Sequence, residues 1–182
     1  MGIDTASRRA VFLDRDGVIN RAIVRDGKPY PPARVEELEV LPGVAAALQS
    51  LKAAGYLLIV VTNQPDVARG TQSRAVVEAI HARLASILPI DEFRACYHDD
   101  VDGCACRKPR PGLILDAARA HDVDLHASVM VGDRLRDIEA GEHAGCATVF
   151  IDRGYAERKP QRPDAVSSSL TEAVEWILSR RP

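Results

Sequence analysis

Two aspartates, Asp14 and Asp16, directly follow the apolar residues 11–13 and precede Gly17. This pattern predicts a short buried strand that ends in a turn. If the backbone stays extended as far as Asp16, both carboxylates point the same way, because side chains at i and i+2 share one face of a strand. Two like charges at this distance raise each other's pKa unless a cation neutralises them. The pair therefore predicts a metal site, although Asp-x-Asp-Gly also occurs in turns that carry no chemistry.

A second group of residues with metal-binding chemistry lies between positions 96 and 106. Cys96, His98, Cys104 and Cys106 offer three thiolates and one imidazole, which is a ligand set of closed structural zinc sites. Four protein ligands leave no open position, so Zn2+ held here would fold the 96–106 loop rather than activate water. The alternatives are a chance cluster of free cysteines and a redox-active Cys-x-Cys pair.

Other residues of reactive type have no matching partners in the sequence. Cys146 lies in an expected connection between a helix and a strand, and we interpret it as a buried packing residue. The remaining histidines are expected at the surface rather than as metal ligands; they are His81, His121, His126 and His143.

Length and composition describe a globular protein of one domain. The chain has 182 residues, of which 46% are hydrophobic, and a formal net charge of -2 at pH 7, which allows a substantial core. No run of Lys and Arg suggests nucleic acid as a partner. Residues 1–9 contain no apolar export signal and no stretch approaches 18 apolar residues, so we expect a cytoplasmic protein without a membrane partner. In a reducing compartment, clustered cysteines favour metal binding over disulfides.

Apolar runs alternate with helical patterns, which predicts a doubly wound, mostly parallel sheet with helices on both faces. Strands are expected at residues 57–61, 93–97, 128–131 and 147–151, in addition to the one that ends at Asp14. Helices are expected at residues 45–54, 73–88, 111–121, 137–143 and 170–178, the last with a Ser169/Glu172 capping box. Residues 20–41 are rich in turn formers and predict a surface excursion with little helix. Because no linker divides the chain, we expect a single α/β domain over residues 1–182.

Further polar residues fall at the ends of expected strands. Thr62 and Asn63 follow the second strand, and Asp133 follows the strand at 128–131. Open parallel sheets bind ligands at the carboxyl ends of their strands, so we expect these residues to converge on the two strand-end aspartates. Lys108 would add a compact positive charge that suits a phosphate. Each residue alone could be an ordinary strand-end or surface residue, and only the joint pattern indicates a site.

Four short motifs occur in order along the chain. They are Asp14-Arg15-Asp16-Gly17, Thr62-Asn63-Gln64, Lys108-Pro109 and Gly132-Asp133-Arg134-Leu135-Arg136-Asp137. In this order they closely resemble the motifs of the haloacid dehalogenase superfamily of phosphotransferases, over residues 10–153. The resemblance implies the Rossmann-like fold of that superfamily, here without a large cap domain.

Two longer motifs narrow the resemblance. They are Cys96-x-His98 followed by Cys104-x-Cys106-Arg107-Lys108-Pro109, and Asn63-Gln64-x-x-x-Ala68-Arg69-Gly70. Together they resemble the D-glycero-D-manno-heptose 1,7-bisphosphate 7-phosphatases. The related histidinol-phosphate phosphatases share the metal loop and the Asp-Arg-Asp-Gly start, but their pattern lacks the Ala-Arg-Gly ending.

The resemblance implies a magnesium-dependent phosphatase with a covalent intermediate. Asp14 would be the nucleophile that forms an aspartyl-phosphate, and Asp16 would be the general acid and base. Mg2+ would be held by Asp14, the backbone carbonyl of Asp16 and Asp133. Asp137 would lie next to these ligands without binding the metal itself.

The resemblance also implies which residues hold the substrate. Thr62, the Asn63 backbone amide and Lys108 would contact the phosphoryl oxygens as charge moves during transfer. Arg107, next to Lys108, would bind the other phosphate or the hydroxyls of the substrate. The zinc-ordered loop would position both Arg107 and Lys108.

The implied substrate is a small sugar bisphosphate, D-glycero-D-manno-heptose 1,7-bisphosphate, and the product is heptose 1-phosphate. The alternatives are a histidinol-phosphate phosphatase, another small phosphomonoester phosphatase, or an inactive zinc-stabilised binding protein. We expect a monomer whose 20–41 and 96–106 loops contact the substrate in an open cleft. Pro65-Asp66, in place of the more common Ser-Gly, and the five-residue spacing between His98 and Cys104 depart from the family pattern. Both departures concern the identity of the sugar more than the chemistry.

Overall fold

A six-stranded parallel sheet forms the centre of the computed structural model, which describes residues 8–180. The strands in chain order are β1 (Ala10–Leu13), β2 (Ile23–Arg25), β3 (Lys28–Tyr30), β4 (Leu57–Asn63), β5 (Glu92–Cys96), β6 (Val129–Gly132), β7 (Ala147–Ile151) and β8 (Ala165–Ser167). The helices are α1 (Val44–Ala53), α2 (Arg74–Ile87), α3 (Gly112–His121), α4 (Leu135–Ala144) and α5 (Leu170–Ser179). The sheet order is β5-β4-β1-β6-β7-β8, and β2 and β3 form a separate antiparallel hairpin. The predicted α/β class, with a mostly parallel sheet, is confirmed.

The core lies on both faces of the sheet. Alternate residues of β1 belong to different layers, so Val11 and Leu13 pack with α1, α2 and α5. Phe12 packs on the other face with α3 and α4. All four residues of β1 are buried, which explains why this strand reads as a continuous apolar run rather than an alternating one.

Side-chain caps fix the start of two helices. Ser73 accepts a hydrogen bond from the backbone N–H of Val76 at 3.2 Å, as its position predicts. Ser169 likewise accepts from the N–H of Glu172 at 3.2 Å. The reciprocal half of the predicted capping box is wrong, because the Glu172 carboxylate accepts from the backbone N–H of Ser168 at 2.6 Å. The Glu172 carboxylate therefore caps the residue before Ser169 rather than Ser169 itself.

The structure differs from the sequence-based expectations in three elements. The 20–41 excursion has little helix, as predicted, but it also contains the β2–β3 hairpin around Asp26 and Gly27. The edge strand β8 was not predicted, because it has three residues and only Ser167 is buried. The surface placement of His81 is wrong, since this residue lies on the inner face of α2 and is 8% exposed. Cys146 is buried, as predicted.

Within residues 8–180, none of the helices combines the length and the apolar character that a membrane crossing requires.

Candidate active site

The carboxyl ends of β1, β4 and β6 form one cleft of about 350 Å³. Asp14 follows β1, and its backbone N–H donates to the carbonyl of Val131 at 2.9 Å, which fixes the strand end against β6. Thr62 and Asn63 end β4 and line the cleft together with Asp14, Asp16 and Lys108. The parallel arrangement thus brings together residues that are far apart in the sequence.

Lys108 is the buried cation of the cleft. Its ammonium lies 2.9 Å from Asp14 Oδ1 and 2.6 Å from Asp137 Oδ1, and it donates to the carbonyl of Val61 at 2.8 Å. Burial alone would lower the pKa of this lysine, but the two carboxylates outweigh it and raise the pKa. The ammonium therefore stays charged and faces Asp14.

Three carboxylates share this space with the single ammonium. One oxygen from each of Asp14, Asp133 and Asp137 lies within 4.8 Å of the others, and all three residues are buried. Burial, together with the charges of Asp137 and Asp16 and against the pull of Lys108, raises the pKa of Asp14 to about 6. Burial and then Asp14 and Asp137 raise the pKa of Asp133 well above its ordinary value. The three carboxylates thus outnumber the one ammonium that lies among them.

Asp133 has one oxygen free for a ligand. Its Oδ2 accepts from the Tyr155 hydroxyl at 2.8 Å, whereas its Oδ1 is buried without a hydrogen-bond partner among residues 8–180. An unpaired buried carboxylate oxygen is costly unless it binds a cation. A group of hard oxygen donors with excess negative charge fits Mg2+.

Gly17 makes the contact between Asp133 and Tyr155 possible. This glycine has φ +84°, and a Cβ atom there would lie 1.8 Å from Asp133 Oδ2 and 2.7 Å from the Tyr155 hydroxyl oxygen. Only glycine avoids both the positive-φ strain and the clash. The turn after the second aspartate therefore has a steric role at the candidate metal site.

Asp16 is held by three side chains. Arg15 Nη2 donates to Asp16 Oδ1 at 3.0 Å and to Oδ2 at 2.9 Å. Asn20 donates to Oδ1 at 3.0 Å, and Gln64 donates to Oδ2 at 2.9 Å. The carboxylate has a fixed orientation and lines the cleft beside Asp14.

Asn63 joins the end of β4 to the segment that carries Lys108. Its side-chain oxygen accepts from the Lys108 N–H at 3.1 Å, and its side-chain nitrogen donates to the Lys108 carbonyl at 3.0 Å. Neighbouring Thr62 accepts from Gln64 Nε2 at 2.9 Å through its hydroxyl. The Asn63 side chain thus has a positioning role that the sequence did not indicate.

The candidate zinc ligands lie in one cluster. The sulfurs of Cys96, Cys104 and Cys106 are 3.1 to 3.7 Å apart, and His98 Nδ1 lies 3.5 Å from Cys96 Sγ and 3.3 Å from Cys106 Sγ. Zn–S bonds of about 2.3 Å in a tetrahedron put sulfurs about 3.8 Å apart, so the cluster fits a zinc ion with small adjustments. All four cysteines of the chain are free thiols.

Four arginines line the cleft beyond Asp14 and Asp16, and three of them have acidic partners. Arg69 binds Asp99 at 2.7 Å, Arg107 binds Asp100 at 2.6 Å, and Arg134 binds Glu157. Arg136 is the exception, because it forms no ion pair with a carboxylate in the described part of the chain. Burial and the neighbouring Arg134 and Arg107 lower its pKa. This end of the cleft therefore offers an unneutralised guanidinium.

Sequence reasoning missed several residues around the site. The missed side chains are Arg15, Asn20, Gln64, His81 and Tyr155. His81 had a signal in its helical spacing, because it lies four residues after Val77 and three before Leu84, which are both buried. Tyr155 had none, because its contact with Asp133 joins positions 22 residues apart.

Comparisons with known proteins agree with this geometry. The HAD-hydrolase-like family model matches residues 105–173. A protein of Thermosynechococcus vestitus named D-glycero-D-manno-heptose-1,7-bisphosphate 7-phosphatase is 35% identical, over 94% of this chain and 96% of its own length. The D-glycero-alpha-D-manno-heptose-1,7-bisphosphate 7-phosphatase of Mycobacterium bovis is 43% identical over 78% of each chain.

A solved structure shows the same fold. The D,D-heptose 1,7-bisphosphate phosphatase of Bordetella bronchiseptica, in complex with magnesium and phosphate, is 35% identical to this chain. The match has a TM-score of 0.80 and covers 93% of this chain and 98% of the other.

Proposed function

This chain belongs to the family of D-glycero-D-manno-heptose-1,7-bisphosphate 7-phosphatases, and from that premise we propose how it acts. It is a magnesium-dependent phosphatase that hydrolyses heptose 1,7-bisphosphate to heptose 1-phosphate. The observation that carries the mechanism is the buried group of Asp14, Asp133 and Asp137 around Lys108. We propose that the enzyme acts as a monomer.

Asp14 attacks the phosphorus of the C7 phosphate and forms an aspartyl-phosphate. Asp16 gives its proton to the departing sugar oxygen and then takes one from the water that hydrolyses the intermediate. Both carboxylates line the cleft, and the hydrogen bonds to Asp16 hold it in one orientation.

Asp14, the Asp16 carbonyl and Asp133 would hold Mg2+, which would offset phosphate charge and favour the ionised form of Asp14. Lys108, the Thr62 hydroxyl and the Asn63 backbone amide contact the phosphoryl oxygens. Asp137 would not join the ligands, because both of its oxygens have partners: Oδ1 pairs with Lys108, and Oδ2 accepts from the Arg134 N–H at 3.0 Å. It holds Lys108 in place instead.

The second phosphate binds at the arginine end of the cleft. Arg107 remains a contact residue there, but its ion pair with Asp100 and its 6% exposure limit its reach. Arg136 lacks such a partner among residues 8–180 and lies in the field of two other arginines, so a phosphate gains most from pairing with it. This subsite favours a bisphosphate over a monophosphate.

Cys96, His98, Cys104 and Cys106 would hold Zn2+, which would have a structural role. Four protein ligands complete its coordination. The last of these ligands, Cys106, lies two residues before Lys108, so the bound metal would fix the backbone that places this lysine beside Asp14. Loss of zinc would therefore lower turnover without removing any catalytic side chain.

A substrate panel tests this function. Purified protein with magnesium should release phosphate from at least one anomer of heptose 1,7-bisphosphate. The kcat/KM for that anomer should be much higher than the kcat/KM for histidinol phosphate. The relatives carry names with either anomer, so the panel includes both. A preference for histidinol phosphate would replace the substrate but keep the chemistry. No release from any monoester would favour an inactive binding protein.

A further inference from the structure

Arg15 lies between the general acid and a buried histidine. Its side chain is fully buried, and Nη2 and Nε contact Asp16 at 2.9 to 3.2 Å. On its other side, Nη1 lies 3.1 Å from His81 Nε2. The guanidinium thus joins helix α2 to the carboxylate that transfers the proton.

His81 supplies a buried hydrogen-bond acceptor for Arg15. Its imidazole is 8% exposed and stacks on Phe93 with ring centroids 4.7 Å apart. Burial, and then the charge of Arg15, lower its pKa to about 4, so the ring is neutral at pH 7. Since Nη1 of Arg15 can only donate, Nε2 accepts and the ring proton resides on Nδ1.

The acceptor matters because an unpaired buried donor on a charged group is costly. Without His81, Arg15 would gain by turning Nη1 toward another oxygen, and its contacts with Asp16 would turn with it. Asp16 already has further donors in Asn20 and Gln64. If Arg15 shifted, the Asn20 and Gln64 amides alone would hold Asp16, and the Asp16 carboxylate would take a different orientation.

We propose that His81 is a positioning residue for proton transfer, which acts by holding Arg15 against Asp16. The inference rests on the proposed function, in which Asp16 protonates the leaving oxygen. In that step an Asp14 oxygen forms a bond to phosphorus while the bond from phosphorus to the sugar oxygen breaks; the electron pair of the broken bond stays with the sugar oxygen, and the Asp16 proton moves to that oxygen. Arg15 stabilises the carboxylate that remains.

The experiment compares two leaving groups. A sugar alkoxide needs a proton to depart, whereas 4-nitrophenolate departs with little help. For wild type and for His81→Phe, we would measure kcat/KM with heptose 1,7-bisphosphate and with 4-nitrophenyl phosphate, because kcat/KM reports the first chemical step. His81→Phe keeps a ring against Phe93 but removes the acceptor. We expect the ratio of sugar to nitrophenyl activity to fall on the order of tenfold, a part of the total general-acid effect.

Two further variants separate positioning from stability. His81→Gln retains an acceptor and should restore much of the ratio. Ile80→Val trims the neighbouring buried residue of α2 without touching Arg15 and should leave the ratio unchanged. If His81→Phe does not fold, His81→Asn, whose amide is too short to reach Arg15, takes its place in the comparison.

An equal loss with both substrates would show a structural role only and would overturn the proposal, as would an unchanged ratio. If wild type does not hydrolyse heptose bisphosphate at all, the proposed substrate is wrong. In that case, the same ratio measured with any alkyl phosphate that wild type does hydrolyse still decides the role of His81.

Discussion

Magnesium binding should weaken about tenfold when the pH falls from 7 to 5. The cause is Asp14, whose pKa is raised to about 6, mainly by burial. Relative to its ordinary value of 3.8, this shift corresponds to roughly 3 kcal/mol for ionising the buried carboxylate, at about 1.4 kcal/mol per pKa unit. Because the folded pKa is raised, the metal-free protein loses stability as the pH rises from about 4 to 6, and the cost is complete above 6.

A cation that binds the ionised form must displace the proton. For one group with a pKa of about 6, the fraction of ionised carboxylate falls about tenfold between pH 7 and pH 5, and the apparent Kd of magnesium should rise by the same factor. Asp133, whose pKa is also raised, would add to this effect. Calorimetric titration of magnesium into the magnesium-free protein at pH 5, 6 and 7 measures this change in the apparent Kd directly.

Two controls test whether zinc is lost at low pH and whether Asp14 is the titrating group. Zinc content is measured at each pH, because protonated cysteines could release zinc and alter the fold. Asp14→Asn removes one titrating carboxylate, so its weaker binding should depend less on pH. An apparent Kd for wild type that is the same at pH 5 and pH 7 would refute the assignment of a raised Asp14 pKa at the metal site.

Three further predictions concern sterics, charge and zinc. Gly17→Ala should abolish magnesium binding and lower the free energy of unfolding by more than the ~1 kcal/mol expected for a positive-φ substitution alone, measured by urea denaturation. Gly55→Ala is the matched control, because Gly55 also has φ +84° but a Cβ there meets nothing within 4 Å; equal losses would contradict the steric role. Arg136→Ala should raise KM for the bisphosphate about tenfold, as expected for a lost charge-assisted contact of ~1.5 kcal/mol, with kcat little changed; an unaltered KM would remove Arg136 from the phosphate subsite. Protein purified without chelator should contain about one zinc per chain, and Cys96→Ser should lower both that content and the Tm; metal-free wild type would reject the zinc site.

The sequence predicted the inner part of the fold well. β1 and β4 read as continuous apolar runs because both faces of these strands are buried, and their ends carry the polar residues that converge in the cleft. β8 escaped prediction because a short edge strand with one buried residue has little apolar signal. The hairpin around Gly27 carried the Asp-Gly turn signal, but its strands are too short and too exposed to show alternation.

The positions of candidate site residues were predictable where the residue follows a strand, and not where its side chain depends on a partner distant in the sequence. Arg107 was expected to face the substrate, yet its charge is already paired with Asp100, and no local pattern shows such a pairing. Tyr155 and Gly17 matter only because the fold brings both to Asp133. Side-chain partners across the fold depend on tertiary geometry, which one-dimensional patterns do not contain.

31P NMR of heptose 1,7-bisphosphate in the presence of magnesium and enzyme shows which of the two phosphates is removed. The signal of the C7 phosphate should disappear and inorganic phosphate should appear in equal amount, while the C1 phosphate signal persists. Asp14→Asn should show no turnover, because it lacks the carboxylate that attacks phosphorus. Loss of the C1 phosphate first would contradict the proposed reaction, and undiminished turnover by Asp14→Asn would contradict the assignment of the nucleophile.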